Sequence, residues 1–267
     1  MRVHRTILVL TLLLCHAART EPTLTAEDFA ELKALSEALL KRYPPDQYYF
    51  VGVGRSPDPL ITLMELGHPD CCSVVPYSSK LESLRGMQLA GARSLKWARR
   101  PYDPVKSKEA FAWLDHYFPK PEVIKGRKVV PVDYASLGLG LGHFSALLET
   151  YKEQRNLDFE QSPVGLTDGS ANPVIRAIFR GIGVKVHLIS LNKYPTLLKR
   201  LENSELKALS RSPEVTEAMV KQGPGSDVLT GNAELIHQLR EHLQRPPPPA
   251  LKPERGSDAC LRVNQAT

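Results

Sequence analysis

The amino-acid sequence predicts an α/β fold of three layers, in which a mainly parallel sheet has helices on both faces. Strand-like runs rich in β-branched and aromatic residues alternate with segments of helical periodicity along most of the chain. The predicted strands pass into the following helices through turns that contain glycine or proline. With 42% hydrophobic and 24% charged residues, the 267-residue chain can bury a sizeable core.

The domain, predicted to span residues 19–245, opens with a helix and a buried strand. Thr25 and Asp28 have the spacing of a reciprocal capping box at the start of the helix, and a proline pair ends it. The stretch QYYFVGVG, residues 47–54, has the pattern of a buried strand that ends in glycine.

A turn, a helix and a second strand follow. Ser56 or Asp58 is expected to cap this helix, with a proline at its first position. The second strand is predicted within CCSVVPYSS, residues 71–79. Residues 80–126 are less regular and rich in basic and aromatic side chains, and we interpret them as a small inserted hood region.

The stretch RKVVPVDYASLGLGLGHFSALLETY, residues 127–151, contains the predicted central strand. The strand ends at Asp133, a glycine-rich turn follows, and a helix is expected from about Phe144 to Gln154. The turn contains three glycines two residues apart: Gly138, Gly140 and Gly142.

Two further strands complete the predicted sheet. They lie within residues 163–169 and 184–191, and Asn172 is expected to cap the helix between them. Beyond Tyr194 the chain is polar and helical. The proline-led tail, residues 246–267, has the composition of a disordered segment.

The first 18 residues have the pattern of an export signal. A short basic start precedes an apolar run too short for a comfortable membrane span, and small residues typical of a cleavage site follow. The alternatives are an uncleaved membrane anchor and a mis-chosen start codon. The signal predicts a secreted or periplasmic protein without membrane contact once the signal is removed. Because the signal contains two arginines and no acids, its removal lowers the net charge from +6 to +4.

Three cysteines follow the predicted signal, an odd number that argues against a disulfide framework. Cys71 and Cys72 are adjacent, and we expect buried free thiols. Together with Cys260, they show no spacing that suits a zinc site.

The net charge gives no strong signal for nucleic-acid binding. A charge of +6 is modest, although it permits an anionic ligand. One basic run with interleaved aromatic residues is interpreted either as a solvated face or as a surface for an acidic ligand. The run comprises Arg93, Lys96, Trp97, Arg99, Arg100, Tyr102, Lys106 and Lys108.

The turns after the first and third strands form the candidate binding site. Parallel sheets bind ligands beyond the carboxyl ends of their strands, where both turns are expected. A glycine-rich turn presents N–H groups to an anion, and the N-terminus of the next helix adds partial positive charge. The predicted ligand-binding residues are Arg55, Ser56, Asp133, Ser136, Gly138 and Gly140.

Three of these side chains have distinct predicted roles. Arg55 can pair with a phosphate through two N–H groups, and Ser136 can donate to a phosphate oxygen. Asp133 can bind ribose hydroxyls or a magnesium ion. The predicted ligand is therefore a small phosphorylated or sugar-like molecule.

Other interpretations of these residues stay open. The turns can be plain strand–helix joints, in which Asp133, Ser136 or Ser56 serves only as a cap. Ser56 can instead be the nucleophile of a serine hydrolase with His143 as base, although an aspartate stands where that motif has glycine. Asp168, at the end of a later strand, fits an ordinary turn.

The order of the elements, with VPVDYASLGLG around the central strand, resembles a type I phosphoribosyltransferase. The resemblance covers about residues 48–191. It implies a phosphoribosyltransferase-like fold, a sugar-phosphate ligand near Ser136 and Gly138, and Asp133 as the catalytic residue that organises the ribose hydroxyls. It also implies a pyrophosphate loop after the first strand and magnesium as the cofactor of a transferase.

The motif of that family is incomplete in this chain. The family has two adjacent acids at the end of the central strand, and Tyr134 occupies the second position. Pro57 and Pro59 remove two N–H donors from the first loop. Altered or lost transfer is therefore expected, and a non-catalytic binding or interaction protein on the same scaffold is the alternative. The sequence indicates neither the oligomeric state nor the ligand.

Overall fold

The computed structural model describes residues 23–78, 108–212, 214–222 and 233–245. The predicted signal, the predicted tail with Cys260, and all of the basic run except Lys108 lie outside the described residues. Within the described ranges, the α/β class, the parallel sheet and the helices on both of its faces are confirmed.

The sheet consists of five parallel strands: β1 (Tyr48–Val53), β2 (Cys72–Val75), β3 (Lys128–Tyr134), β4 (Val164–Thr167) and β5 (His187–Ser190). Their spatial order is β2-β1-β3-β4-β5. The chain thus passes from β1 outward to β2 and then returns to β3 on the other side of β1. This reversal places the carboxyl ends of β1 and β3 side by side, with Gly52 paired to Val132.

The described helices are, in chain order, α1 (Ala26–Arg42), α2 (Asp58–Gly67), α3 (Lys108–Tyr117), α4 (Pro121–Ile124), α5 (Leu139–Arg155), α6 (Asn172–Ile182), α7 (Pro195–Glu202), α8 (Glu205–Ala208), α9 (Glu217–Gln222) and α10 (Ala233–Gln244). One core layer contains side chains of α3, α5 and α6, and the other contains side chains of α1, α2, α7 and α10. Among the helices of these ranges, none combines the length and apolar content that a bilayer span requires.

The central strand β1 contributes to both layers, because successive side chains of a strand point to opposite faces. Tyr49, Val51 and Val53 belong to the layer of α5 and α6, whereas Phe50 belongs to the layer of α1 and α2. All four side chains are at most 4% exposed. This burial on both faces is typical of parallel sheets.

The start of α1 agrees with the sequence prediction. Oγ1 of Thr25 accepts a hydrogen bond from the N–H of Asp28 (3.1 Å), and the Asp28 carboxylate accepts one from the N–H of Thr25 (2.7 Å). The predicted capping box is therefore confirmed.

The predicted caps of α2 and α6 are wrong. Pro57, rather than Ser56 or Asp58, holds the cap position of α2, and Ala171, rather than Asn172, holds that of α6. Neither cap residue forms a side-chain hydrogen bond to its helix. A proline in the first turn, with φ fixed near the helical value, favours the start of both helices instead.

The glycine-rich turn is shorter than predicted. The following helix, α5, starts at Leu139 rather than near Phe144, so Gly140 and Gly142 lie inside it. Only Gly138 has a left-handed backbone, with φ of 71°. The packing of the apolar α5 face in the core outweighs the low helix propensity of the two glycines.

Part of the predicted hood forms a helical layer on the sheet. The side chains of Phe111, Trp113 and Tyr117, in α3, are buried in the same core layer as α5. Nε1 of Trp113 donates a hydrogen bond to the carbonyl of Pro76 (2.7 Å), which ties α3 to the chain beyond β2. The preceding residues 79–107 lie outside the described chain.

The adjacent cysteines are buried free thiols, as predicted. Their sulfur atoms lie 3.4 Å apart at the start of β2. The Cys72 thiol also donates to the carbonyl of Ile61 in α2 (3.4 Å), so the pair packs as part of the core.

Candidate ligand-binding cleft

A cleft opens beyond the carboxyl ends of β1 and β3, where the strand order reverses. Its cavity volume is about 650 Å³, a size typical of small-molecule sites. Doubly wound sheets bind ligands at this position. All six of the predicted ligand-binding residues line this one cavity: Arg55, Ser56, Asp133, Ser136, Gly138 and Gly140.

The loop Ala135–Gly138 and the first turn of α5 form one side of the cleft. The N–H of Ala135 donates to the carbonyl of Leu166 (2.8 Å), which ties the loop to β4. The N–H of Gly142 donates to the carbonyl of Gly138 (2.9 Å). Within the described chain, the N–H groups of residues 136–141 donate to no backbone carbonyl. They are the donors that a helix N-terminus leaves open for a ligand.

The three glycines divide between packing and the cleft. A Cβ atom on Gly138 would lie 2.9 Å from the side chain of Ile175, and one on Gly142 would lie 2.7 Å from that of Ile178. These two glycines therefore let α5 approach α6 closely. Gly140 lies between them on the helix and lines the cleft. Part of the glycine pattern thus serves packing, and one member serves the cavity.

The facing loop, after β1, depends on Gly54. This residue has φ of 76°, and a Cβ atom there would lie 2.8 Å from the carbonyl oxygen of Tyr77. The N–H of Gly54 donates to the carbonyl of Val75 (2.9 Å), so the turn leaves the sheet at a fixed point. The next two residues, Arg55 and Ser56, are half-buried and line the cleft.

The guanidinium of Arg55 bridges the cleft to the C-terminal helices. Its Nη2 donates to the carbonyl of Lys207 (2.6 Å), and its Nη1 lies 3.6 Å from Oε2 of Glu214. Its Nε is buried and has no hydrogen-bond partner among the described residues. Arg55 therefore has donor capacity that the described chain does not use.

The C-terminal helices supply a third wall that the sequence analysis missed. No motif marks this segment, and its polar helical pattern predicted only a solvated region. Ser204, between α7 and α8, has a left-handed backbone with φ of 61°. The cleft residues of this wall are Leu201, Glu202, Ser204, Lys207, Glu214 and Val215.

Asp58 anchors this wall from the first turn of α2. Its fully buried carboxylate accepts hydrogen bonds from Oγ of Ser210 (2.6 Å) and the N–H of Ser212 (3.0 Å). Oγ1 of Thr62 (3.0 Å) and Nε of Arg211 (3.3 Å) are further donors to it. The sequence suggested a helix cap at Asp58, and the structure instead uses it to hold a distant segment.

Acidic residues of α1 anchor the beginning of the same wall. The carboxylate of Glu31 accepts hydrogen bonds from the N–H groups of Thr196 (3.2 Å) and Leu197 (2.8 Å), at the start of α7. Oδ1 of Asp28 lies 2.7 Å from Nε of Arg200. The wall is thus fixed to two helices of the same sheet face.

Asp133 lies half-buried at the end of β3, in the cleft. Burial raises the pKa of its carboxyl to about 8, and the N–H of Tyr134 and the ammonium of Lys207 offset this effect only in part. At neutral pH the side chain is therefore mostly protonated. A neutral carboxyl can donate a hydrogen bond to a ligand oxygen.

The acids of the cleft do not fit the magnesium site that the family resemblance implied. Magnesium binds through ionised carboxylates, and the Asp133 carboxyl holds its proton at neutral pH. Burial also raises the pKa of Tyr134, so its phenol stays neutral. In the described ranges, no three acidic, histidine or cysteine side chains are grouped as metal ligands.

The remaining candidates lie apart from this cavity. His143 is 4% exposed within α5 and is not among the cleft residues. Ser56 lines the cleft but is not one of the described residues with positive φ, so it lacks the strained backbone of a nucleophile turn. The carboxylate of Asp168 accepts from the N–H (2.8 Å) and the hydroxyl (2.7 Å) of Ser170, which makes it an ordinary turn residue. Lys108 is exposed at the start of α3.

No protein-family model matches this chain, and no curated protein or solved structure is significantly similar to it. The fold and the cleft therefore define the class: a doubly wound α/β protein with a polar cavity at the reversal of its strand order.

Proposed function

We propose that this protein binds a small phosphorylated ligand, such as a sugar phosphate, in the cleft between the ends of β1 and β3. One observation carries the proposal: open backbone donors and an arginine line the same cavity. Residues 136–140 provide the N–H groups of a helix N-terminus, and Arg55 provides a guanidinium. Phosphate accepts hydrogen bonds from both kinds of donor.

The other polar groups of the cleft suit a ligand rich in hydroxyl groups. Ser56, Ser136 and Ser204 line it, and each hydroxyl can donate or accept a hydrogen bond. The protonated Asp133 adds a donor between them. These groups support a sugar as the part of the ligand next to the phosphate.

We further propose that the scaffold is phosphoribosyltransferase-like. Support comes from the acid at the end of the central strand, the short loop that joins it to α5, and the facing loop after β1. Ribosyl transfer is not part of the proposal, because Tyr134 stands in the second acid position and Asp133 is protonated. Export remains a prediction from residues 1–18.

Isothermal titration calorimetry tests the ligand class. We expect ribose 5-phosphate to bind and free ribose to bind more weakly than calorimetry detects, because only the former reaches the N–H groups of the loop. Phosphoribosyl pyrophosphate is expected to bind with the same affinity with and without magnesium. Equal heats from ribose and ribose 5-phosphate would contradict the proposal.

A pair of variants at Gly140 places the phosphate. Gly140→Asp adds a carboxylate in the first turn of α5, where the helix dipole favours it but a phosphate is repelled. Gly140→Ala adds only a methyl group at the same position. We expect the aspartate variant to lose at least about tenfold in affinity for ribose 5-phosphate, or about 1.4 kcal/mol, and the alanine variant to keep most of it.

Binding without chemistry is the second candidate, and the protonated Asp133 favours it. With phosphoribosyl pyrophosphate and magnesium, we expect no release of pyrophosphate at a rate above that of the protein-free solution. A fluorophosphonate probe is expected to leave Ser56 unlabelled, because no histidine lines the described cleft as its base. Labelling of Ser56 would revive the hydrolase alternative.

A further inference from the structure

We propose that Glu214 is an intramolecular competitor for the phosphate of the ligand, and that it sets how tightly the cleft holds anions. The inference rests on the proposed function and adds a residue that determines its specificity. Its starting point is a contact across the cavity: Oε2 of Glu214 lies 3.6 Å from Nη1 of Arg55, and both residues line the cleft.

Arg55 can offer a ligand only the donors that the protein leaves open. Its Nη2 already donates to the carbonyl of Lys207 (2.6 Å), a neutral partner that fixes the guanidinium in place. Its Nη1 faces the carboxylate of Glu214. Paired recognition of a phosphate uses neighbouring N–H groups of the guanidinium fork, so an incoming phosphate competes with Glu214 for Nη1.

The Glu214 carboxylate is well suited to leave. Its side chain is 84% exposed, against 30% for Arg55, and exposed ion pairs contribute little because water and salt screen them. The nearby backbone is fixed, since the N–H of Ser212 donates to the buried Asp58 carboxylate (3.0 Å). Release of Arg55 therefore requires only a rotation of the Glu214 side chain, while the wall stays in position.

This arrangement discriminates among ligands by their charge. Every anion that takes Arg55 must displace Glu214, whereas a neutral ligand gains nothing from its removal. A phosphate that also binds the N–H groups of residues 136–140 gains enough contacts to compensate. An anion that reaches Arg55 alone does not.

Titration of the full chain with ribose 5-phosphate tests the inference. Glu214→Gln keeps the shape of the side chain and removes its charge, and we expect it to tighten binding about two- to fivefold. Glu205→Gln is the matched control: it removes a charge from the same wall, but Glu205 contacts Arg200 and Asn203 rather than Arg55. It is expected to change the affinity less than about 1.5-fold.

A double variant separates competition from a general charge effect. In an Arg55→Gln background, Glu214→Gln is expected to have no further effect on affinity, because the contested group is gone. An equal gain from both glutamine variants, or a gain that persists without Arg55, would overturn the inference and leave the proposed function intact. Failure of ribose 5-phosphate to bind any variant would overturn both.

Discussion

The carboxyl group of Asp133 shows how the fold changes the chemistry of a single residue. In the unfolded chain its pKa is near 3.8, and in the folded protein burial raises it to about 8. Between these values the folded state binds the extra proton, so its contribution to the free energy of unfolding falls as pH rises. This contribution is fully present below about pH 4 and lost above about pH 8.

Asp133→Asn is expected to remove this dependence. Relative to the wild type, the free energy of unfolding of the variant should rise by about 2 kcal/mol between pH 4 and pH 8, less than the full shift because Asp133 keeps some contact with water. Urea denaturation at several pH values measures the difference. A constant difference across this range would contradict the assigned pKa.

Asp168→Asn provides a control of opposite sign. Hydrogen bonds from Ser170 lower the pKa of Asp168, so its stabilising effect is present above its unfolded pKa and is lost as pH falls. Relative to the wild type, this variant should therefore be less stable at neutral pH, and the difference should shrink in acid. The two profiles separate a cleft carboxyl from a turn carboxyl.

At the scale of the elements, α5 makes different demands on its glycines. Gly142→Ala should destabilise the protein by about 1–3 kcal/mol, because its Cβ would lie 2.7 Å from Cγ2 of the buried Ile178. Gly140→Ala should be neutral or should stabilise by up to about 1 kcal/mol, because alanine favours a helix. Urea denaturation of both variants is the measurement, and equal effects would contradict the division between packing and cleft.

The anchor of the C-terminal wall makes a separate prediction. Asp58→Ala leaves Ser210, Ser212 and Arg211 without their common acceptor, and should destabilise the protein by about 3 kcal/mol. Hydrogen exchange should also become faster in residues 205–212. Asp46→Ala, at an exposed position, is the control and should change stability by less than about 0.5 kcal/mol. Unchanged exchange in the wall would contradict the anchoring role of Asp58.

For the whole molecule, the sequence predicts the sheet and two sides of the cleft, because these depend on local patterns. Alternation of strands and helices determines a parallel sheet, and the turns after β1 and β3 must then meet at one edge. The third wall depends on contacts far apart in sequence, such as Asp58 with Ser210 and Ser212. No local pattern around Ser204 or Glu214 indicates that these residues return to the cleft.

The same distinction explains the errors at helix starts. A glycine pair favours a turn in isolation, yet Gly140 and Gly142 are helical because the flanking apolar residues pack in the core. Asp58 has the chemistry of a cap, yet its carboxylate is held by residues more than a hundred positions away. In both cases tertiary contacts decide between local alternatives of similar free energy.

Amide NMR spectroscopy of the full chain with ribose 5-phosphate tests the central claim most directly. The account predicts that the largest shifts fall on the N–H groups of residues 136–140 and on the Nε–H of Arg55, with no comparable change on addition of ribose. Shifts confined to other regions, or the same shifts with ribose, would contradict a phosphate site at the ends of β1 and β3.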